Sequence, residues 1–347
     1  MSERLLEVES LQVSFVTDEG TVQAVDEVSF ALGSGEVLAI VGESGCGKSV
    51  TAMTLMGLTR LPNARCSGSA KLRGEELLTA PERRMREIRG GEIAMIFQDP
   101  MSALNPVQRV GDQIVEQIRA HEEIAKGPAL ARAIAAMDRV GIPRAAERAR
   151  AFPHEFSGGM RQRVMIAMAL SSSPSLLIAD EPTTALDVTI QAQILHEIGR
   201  LRAETNAGVI LVTHDLGVVA DIADRIVVMY AGRIVEQGSL DELFYDPQHP
   251  YTWGLLGSIA RVDRERPPRL PTIAGQPPSL VSPPRGCHFR PRCPHEFARC
   301  TEVPPLESRL AEAPEHRDRC WLSPQEKRAK RVVDGQIGLA GGTTVVA

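Results

Sequence analysis

At 347 residues, with 43% hydrophobic and 24% charged side chains, the chain is too long for one ordinary domain and too apolar to be disordered or fibrous. Lysine and arginine number 39 against 44 aspartate and glutamate; the net charge of −5 provides no basic field to recruit nucleic acid, which is excluded as an expected partner. The opening MSERLLEVES lacks a basic segment followed by an apolar core, and no apolar run is long enough to span a bilayer, so neither signal peptide nor membrane span is expected.

As far as about residue 260, short apolar strands alternate with helical stretches, the sequence form of a parallel α/β sheet. The strand Glu36 to Val41 runs into Gly42-Glu43-Ser44-Gly45-Cys46-Gly47-Lys48-Ser49, which fits G-x-x-x-x-G-K-S. Glycines there let the backbone wrap phosphates closely, and N–H groups at the following helix start hold their charge. Lys48 would reach the β- and γ-phosphates of a nucleotide, and the Ser49 hydroxyl would ligate Mg²⁺. A second strand, Ile93 to Phe97, leads to Gln98. Between Pro106 and Ser171 strand signals disappear, and Ile114, Ile118, Leu130, Ile134 and Met137 recur at helical spacings, which predicts a helical insert. Within it Ser157 is a good N-cap, and Gly158 and Gly159 would leave bare N–H groups, a second anion site. The strand Ser175 to Ala179 ends in Asp180-Glu181 at the carboxyl edge of the sheet, where ligands bind. Asp180 suits Mg²⁺ coordination and Glu181 a general base for the attacking water. Strands Gly208 to Thr213, followed by His214, and Arg225 to Tyr230 complete the set. Alone, an acidic pair after a strand reads as a solvated helix start; beside a phosphate loop it reads as a site.

Phe156-Ser157-Gly158-Gly159-Met160-Arg161-Gln162-Arg163 resembles the signature motif of the ABC-transporter ATPase family, which ordinary P-loop kinases and GTPases lack. The resemblance extends to Gln98, to Thr184-Ala185-Leu186-Asp187 and to Thr213-His214-Asp215, in family order and spacing over residues 1 to about 250. It implies an α/β P-loop NTPase core over residues 1–260, with a helical subdomain inserted at about 100–172. It also implies ATP and Mg²⁺ as ligands. Gln98 would sense Mg²⁺ and the water beside the surface that touches membrane subunits, and His214 would contact the γ-phosphate. Asp187 joins the nucleotide-binding set, as does Phe15 by stacking on adenine, a core position being its other reading. Ser157, Gly158 and Gly159 would close over nucleotide held by a second ATPase subunit. Met160, where Gln is more usual, and Cys46, where Ser is frequent, depart from the family pattern without removing a phosphate donor.

Twelve of the 24 prolines lie between Val262 and Cys320, where long helices cannot form. Asp246-Pro247-Gln248-His249-Pro250-Tyr251-Thr252 and Gly286-Cys287-His288-Phe289-Arg290-Pro291-Arg292-Cys293-Pro294 resemble the C-terminal extension of peptide and nickel importer ATPases, most closely the D-type subunit. Residues 261–325 are therefore expected to form a small Pro/Cys-rich regulatory or structural domain, and 326–347 a flexible tail. Cys287, Cys293, Cys300 and Cys320 could bind a [4Fe–4S] cluster or tetrahedral Zn²⁺. Iron–sulfur is favoured because tight C-x2-C to C-x4-C pairs are absent and some members of the resembled family hold such a cluster; buried free thiols are the third reading. This centre is expected to be independent of the ATP site. The resemblance further implies an F-type ATPase partner, two transmembrane permease subunits, a periplasmic or extracellular solute-binding protein, and a peripheral location at the cytoplasmic face of the membrane. The implied function is ATP hydrolysis that powers dipeptide or oligopeptide import, with nickel or another solute, or a soluble ABC-type ATPase, as alternatives.

Overall fold

The computed structural model describes residues 4–183, 187–258 and 272–333. In chain order its strands are β1 (Arg4–Thr17), β2 (Gly20–Gly33), β3 (Val37–Val41), β4 (Ala64–Leu72), β5 (Glu75–Glu76), β6 (Ile93–Ile96), β7 (Leu176–Asp180), β8 (Gly208–Thr213), β9 (Arg225–Tyr230), β10 (Arg233–Ser239) and β11 (Arg317–Asp318). One sheet, ordered β2-β1-β4-β5, is antiparallel, and the other runs β11-β10-β9-β3-β8-β7-β6. In this larger sheet β6, β7, β8, β3 and β9 are mutually parallel, while β10 and β11 turn back antiparallel at one edge.

Parallel strands covered on both faces need apolar side chains at nearly every position, and β3, β6, β7 and β8 are buried from end to end. Alternation along β3 divides two cores. Val37, Ala39 and Val41 face the helical side, while Leu38 and Ile40 face the side covered by the antiparallel sheet. Helices Val110–His121, Lys126–Arg139 and Gly158–Leu170 occupy the predicted helical stretch, and Ile114, Ile118 and Met137 are fully buried in the first of these cores. The antiparallel sheet had no counterpart among the predicted strands. β4 is largely solvent-facing, with only Ala70 and Leu72 buried, so it carries no apolar run to read.

The cysteine-bearing C-terminal segment packs into the ATPase core. Its β11 adds to β10, pairing Glu236 with Asp318, and Arg319 N–H donates to Val235 O. Phe289 lies in the same buried cluster as Tyr230 and Tyr251, ring centres 5.2 and 5.5 Å away. Beneath it the fully buried Glu236 accepts from the backbone N–H groups of Gln248 and His249, and its Oε1 stands 2.8 Å from His316 Nε2. Burial alone would raise the Glu236 pKa, but these bonds hold it below the usual range.

The expected flexible tail is corrected at its start. Residues 326–333 belong to the helix Pro324–Val333, pinned where Lys327 Nζ donates to Asp318 Oδ1 at 2.7 Å, both side chains almost fully buried. Arg331 adds bonds to Asp246 and to Pro247 O. The run Lys327-Arg328-Ala329-Lys330-Arg331 reads by itself as a solvated basic stretch, but Lys327 is buried on Asp318 and Arg331 pairs with Asp246. Residues 334–347 lie outside the described residues. Breaking a buried pair by removing one member costs about 3–5 kcal/mol, so Lys327→Ala should lower unfolding stability by roughly that amount. Arg328→Ala, at a side chain 60% exposed, should change it by less than about 0.5 kcal/mol. Denaturant titration of both variants checks this, and equal, negligible effects would restore the flexible-tail expectation.

Candidate nucleotide-binding active site

β3 delivers the loop 42–49 from the middle of the sheet, between β8 and β9. The backbone leaves it at Gly42 with φ 153° and enters the helix Lys48–Leu55 from Gly47 with φ 104°. A Cβ at these positions would stand 2.2 Å from Met229 O and 2.3 Å from Ala24 O, so no other residue fits either. No side chain caps this helix, which leaves its first N–H groups to an anion. Lys48 is buried, its Nζ donating to Gly42 O at 2.7 Å and Glu43 O at 2.9 Å. Ser44 and Gly45 are exposed, and Cys46 lies buried with Sγ 3.7 Å from Lys48 Nζ.

Ser49 Oγ donates to Asp180 Oδ1 at 3.1 Å, joining the loop to the end of β7. Burial, with the adjacent Glu181 charge, raises the Asp180 pKa. A buried carboxylate beside a hydroxyl is the oxygen donor set that a hard divalent cation such as Mg²⁺ satisfies. Glu181 follows with a left-handed φ of 48°, its N–H donating to Val212 O. Its Oε2 accepts from Gln98 Nε2 at 3.0 Å, and its Oε1 lies 3.1 Å from His214 Nδ1. Gln98, Glu181 and His214 thus come from the ends of three neighbouring strands, β6, β7 and β8. A carboxylate oriented from both sides can take a proton from water in a fixed direction, and the strained backbone is consistent with a position held by its surroundings.

Ser157 caps the helix Gly158–Leu170 by accepting from Met160 N–H. Ser157 and Gly158 are exposed, Gly159 is half-buried, and a Cβ on Gly158 would meet nothing within 4 Å, so this helix start opens to solvent. Two residues beyond Met160, the buried Gln162 Nε2 donates to Pro182 O at 2.5 Å and ties the signature helix to the residue after Glu181. Asp187 caps the helix Val188–Thr205 through Ile190 N–H, while Thr184-Ala185-Leu186 lie outside the described residues. Phe15 sits half-buried on β1, opposite Val22 and Ala64 and packed against the core beside the antiparallel sheet.

Two residues of the C-terminal motifs, given no role by the sequence, also reach the loop. Arg292 makes a forked ion pair with Glu43, and the Glu43 N–H donates to Tyr251 Oη at 2.8 Å. Both come from the C-terminal resemblance, more than 200 residues from the loop, and only a three-dimensional arrangement reveals the pairing. The expected independence of cysteine segment and ATP site is thereby corrected, since Arg292 precedes Cys293. Cys287, Cys293, Cys300 and Cys320 line one small cavity with Phe289 and Trp321. Burial pushes the Cys293 and Cys320 thiols up to about 12. Among the described residues no three His, Cys, Asp or Glu side chains are gathered closely enough to hold a single metal ion. His288 is engaged elsewhere, with Nδ1 2.9 Å from Ala231 O.

Residues 25–184 match the family model described as ABC transporter, and residues 235–300 that described as the C-terminal region of oligopeptide/dipeptide transporters. The chain is 53% identical over 304 residues to the oligopeptide transport ATP-binding protein OppD of Salmonella typhimurium, spanning 88% of this chain and 90% of that protein. It is 51% identical over 332 residues to the dipeptide transport ATP-binding protein DppD of Bacillus subtilis, spanning 95% and 98%. The chain belongs to the D-type ATP-binding subunits of the ABC peptide importers. The fold agrees: the dimeric ABC transporter cassette MJ0796 superposes with a TM-score of 0.62 over 68% of this chain and 98% of its own, at 24% identity. As an ABC ATPase this subunit is expected to take ATP with Mg²⁺ at the loop 42–49.

Gln162→Ala should leave the buried Pro182 carbonyl unpaired and lower unfolding stability by about 1–3 kcal/mol. Chemical denaturation with Gln162→Glu alongside would show a similar loss, since a carboxylate cannot donate; no loss in either would mean that this link carries no stability.

Proposed function

We propose that this chain is the ATP-hydrolysing subunit that powers peptide import through a multi-subunit ABC transporter, with chemistry at Glu181. The observation that carries the reading is the placement of Gln98, Glu181 and His214 at one sheet edge beside Ser49 and Asp180. In it Lys48 and the loop N–H groups would hold the β- and γ-phosphates, and Ser49, Asp180 and Gln98 would hold Mg²⁺. Glu181 takes a proton from the attacking water, and His214 contacts the γ-phosphate. Phe15 contributes to the adenine side. Bound there, Mg²⁺ would neutralise charge on the phosphates, and the protein supplies orientation and the proton acceptor.

The outward-facing Ser157 and Gly158 support a shared site, in which each signature helix start closes over nucleotide held by a second ATPase subunit, here an F-type chain. Among the described residues no helix is long and apolar enough to cross a membrane. The subunit attaches peripherally, at the cytoplasmic face, to two permease subunits fed by a solute-binding protein. Lys48→Ala should abolish most ATP binding, whereas Glu181→Gln should keep binding and lose roughly 10²–10⁴-fold in turnover. Nucleotide binding and phosphate release in the assembled transporter separate the two, and near-normal hydrolysis by Glu181→Gln would remove Glu181 from the base role.

For the four cysteines we propose a [4Fe–4S] cluster, with zinc as the alternative, because tight C-x2-C to C-x4-C pairs are absent from their spacing. Their thiols share an apolar cavity, and soft thiolates suit iron–sulfur ligation. Bound there, the cluster would cross-link residues 287–320, which otherwise contain few regular elements. Anaerobic purification should give a brown protein with iron and acid-labile sulfide, lost on replacing any one of Cys287, Cys293, Cys300 or Cys320 with Ser. Stoichiometric zinc without iron would overturn the cluster.

A further inference from the structure

Arg292 reaches from the cysteine-bearing segment to the underside of the phosphate loop, where its side chain is only 4% exposed. Nη1 donates to Glu43 Oε2 at 2.6 Å and Nη2 to Oε1 at 3.0 Å, the parallel fork in which guanidinium and carboxylate match best. The guanidinium is held from behind as well. Nε donates to Ala274 O at 2.9 Å, Nη2 to Ile273 O at 3.2 Å and Nη1 to Tyr230 Oη at 3.3 Å. The short 3₁₀ turn Arg290–Arg292 presents it, with Cys293 as the next residue.

On the loop side Glu43 is fixed three ways. Its carboxylate meets Arg292, its N–H meets Tyr251, and its carbonyl accepts from Lys48 Nζ, the same ammonium that serves the phosphates. Without Arg292, two things change. Glu43 becomes an uncompensated anion within the loop that must receive a polyphosphate, and the loop loses its only forked ionic tether to the C-terminal segment among the described residues. A loop that is competent for only part of the time binds with an affinity reduced by that fraction.

We propose that Arg292 is a positioning residue for ATP. Acting through Glu43, it holds the loop 42–49 in its nucleotide-binding shape, so that order in the cysteine segment is felt as ATP affinity. The inference rests on ATP binding at this loop, which the wild-type arm of the experiment measures directly.

The test compares Arg292→Gln, Glu43→Gln, their double variant and Arg309→Gln in the full chain, by displacement of a fluorescent ATP analogue, and in the assembled transporter by steady-state kinetics. Arg309 pairs with Asp318 in the same C-terminal segment and touches no loop residue, so it controls for general loosening. Arg292→Gln should weaken ATP binding about tenfold and raise KM with little change in kcat, the mark of lost binding rather than lost chemistry. Glu43→Gln should weaken it severalfold. The double variant should be no weaker than Arg292→Gln, because both changes cut one tether and the second also removes the stranded anion. Arg309→Gln should lower the melting temperature and leave ATP affinity unchanged. Unaltered affinity in both single variants, multiplication of their losses in the double variant, or an equal loss in Arg309→Gln would each overturn the proposal. If Arg292→Gln fails to fold, Glu43→Gln decides, since it cuts the same tether without altering the C-terminal segment.

Discussion

The structure depends on a strand buried on both faces that ends in a loop with no spare volume. β3 packs a helical layer with Val37, Ala39 and Val41 and the opposite layer with Leu38 and Ile40. Its register is therefore set twice, and a one-residue slip would exchange both faces at once. Because Met229 O and Ala24 O close on Gly42 and Gly47, the loop inherits that register with little freedom. The N–H groups of the loop are thereby fixed by the fold itself, so an anion bound there would not have to meet the cost of ordering them.

Charge organises the rest of the site. Asp180 is buried and Glu181 lies beside it, two acids at one strand end whose mutual repulsion and desolvation both favour a cation. Lys48 turns towards backbone carbonyls of the loop instead of either carboxylate. The acidic pair is thus left without a cationic side chain from the loop, as the proposed metal and water chemistry requires. Glu181 is kept apart from Asp180 by its left-handed backbone and by contacts from Gln98 and His214.

Legibility followed burial. The parallel strands and the signature helix could be read from the chain because each combines a continuous apolar run with a local motif. β1, β2 and β4 mix exposed and buried positions and are interrupted by register shifts, which blurs any simple alternation. The residues of the Ser49–Asp180 and Gln98–Glu181–His214 contacts could be named in advance, Ser49 from the phosphate-loop motif, Asp180 and Glu181 from the acidic end of an apolar strand, and Gln98 and His214 from the family resemblance. Arg292, Tyr251 and Lys327 could not. Their partners lie on elements joined only by the fold, and a proline-rich sequence gave no period from which to place them.

The two-residue strand β11 has a consequence out of proportion to its length. β10 would otherwise offer an edge of unpaired backbone groups to any passing extended chain. Pairing of Glu236 and Gln237 with Asp318 and Arg317, with Arg319 N–H on Val235 O, covers much of that edge. Elsewhere the sheet margin is short, since β6 has only four residues. An ATPase core cut off near residue 260 would lose the Arg292 tether to its phosphate loop and also gain an adhesive border. Edge-to-edge association is thus a second consequence of removing the C-terminal segment, separate from the lost contact with Glu43.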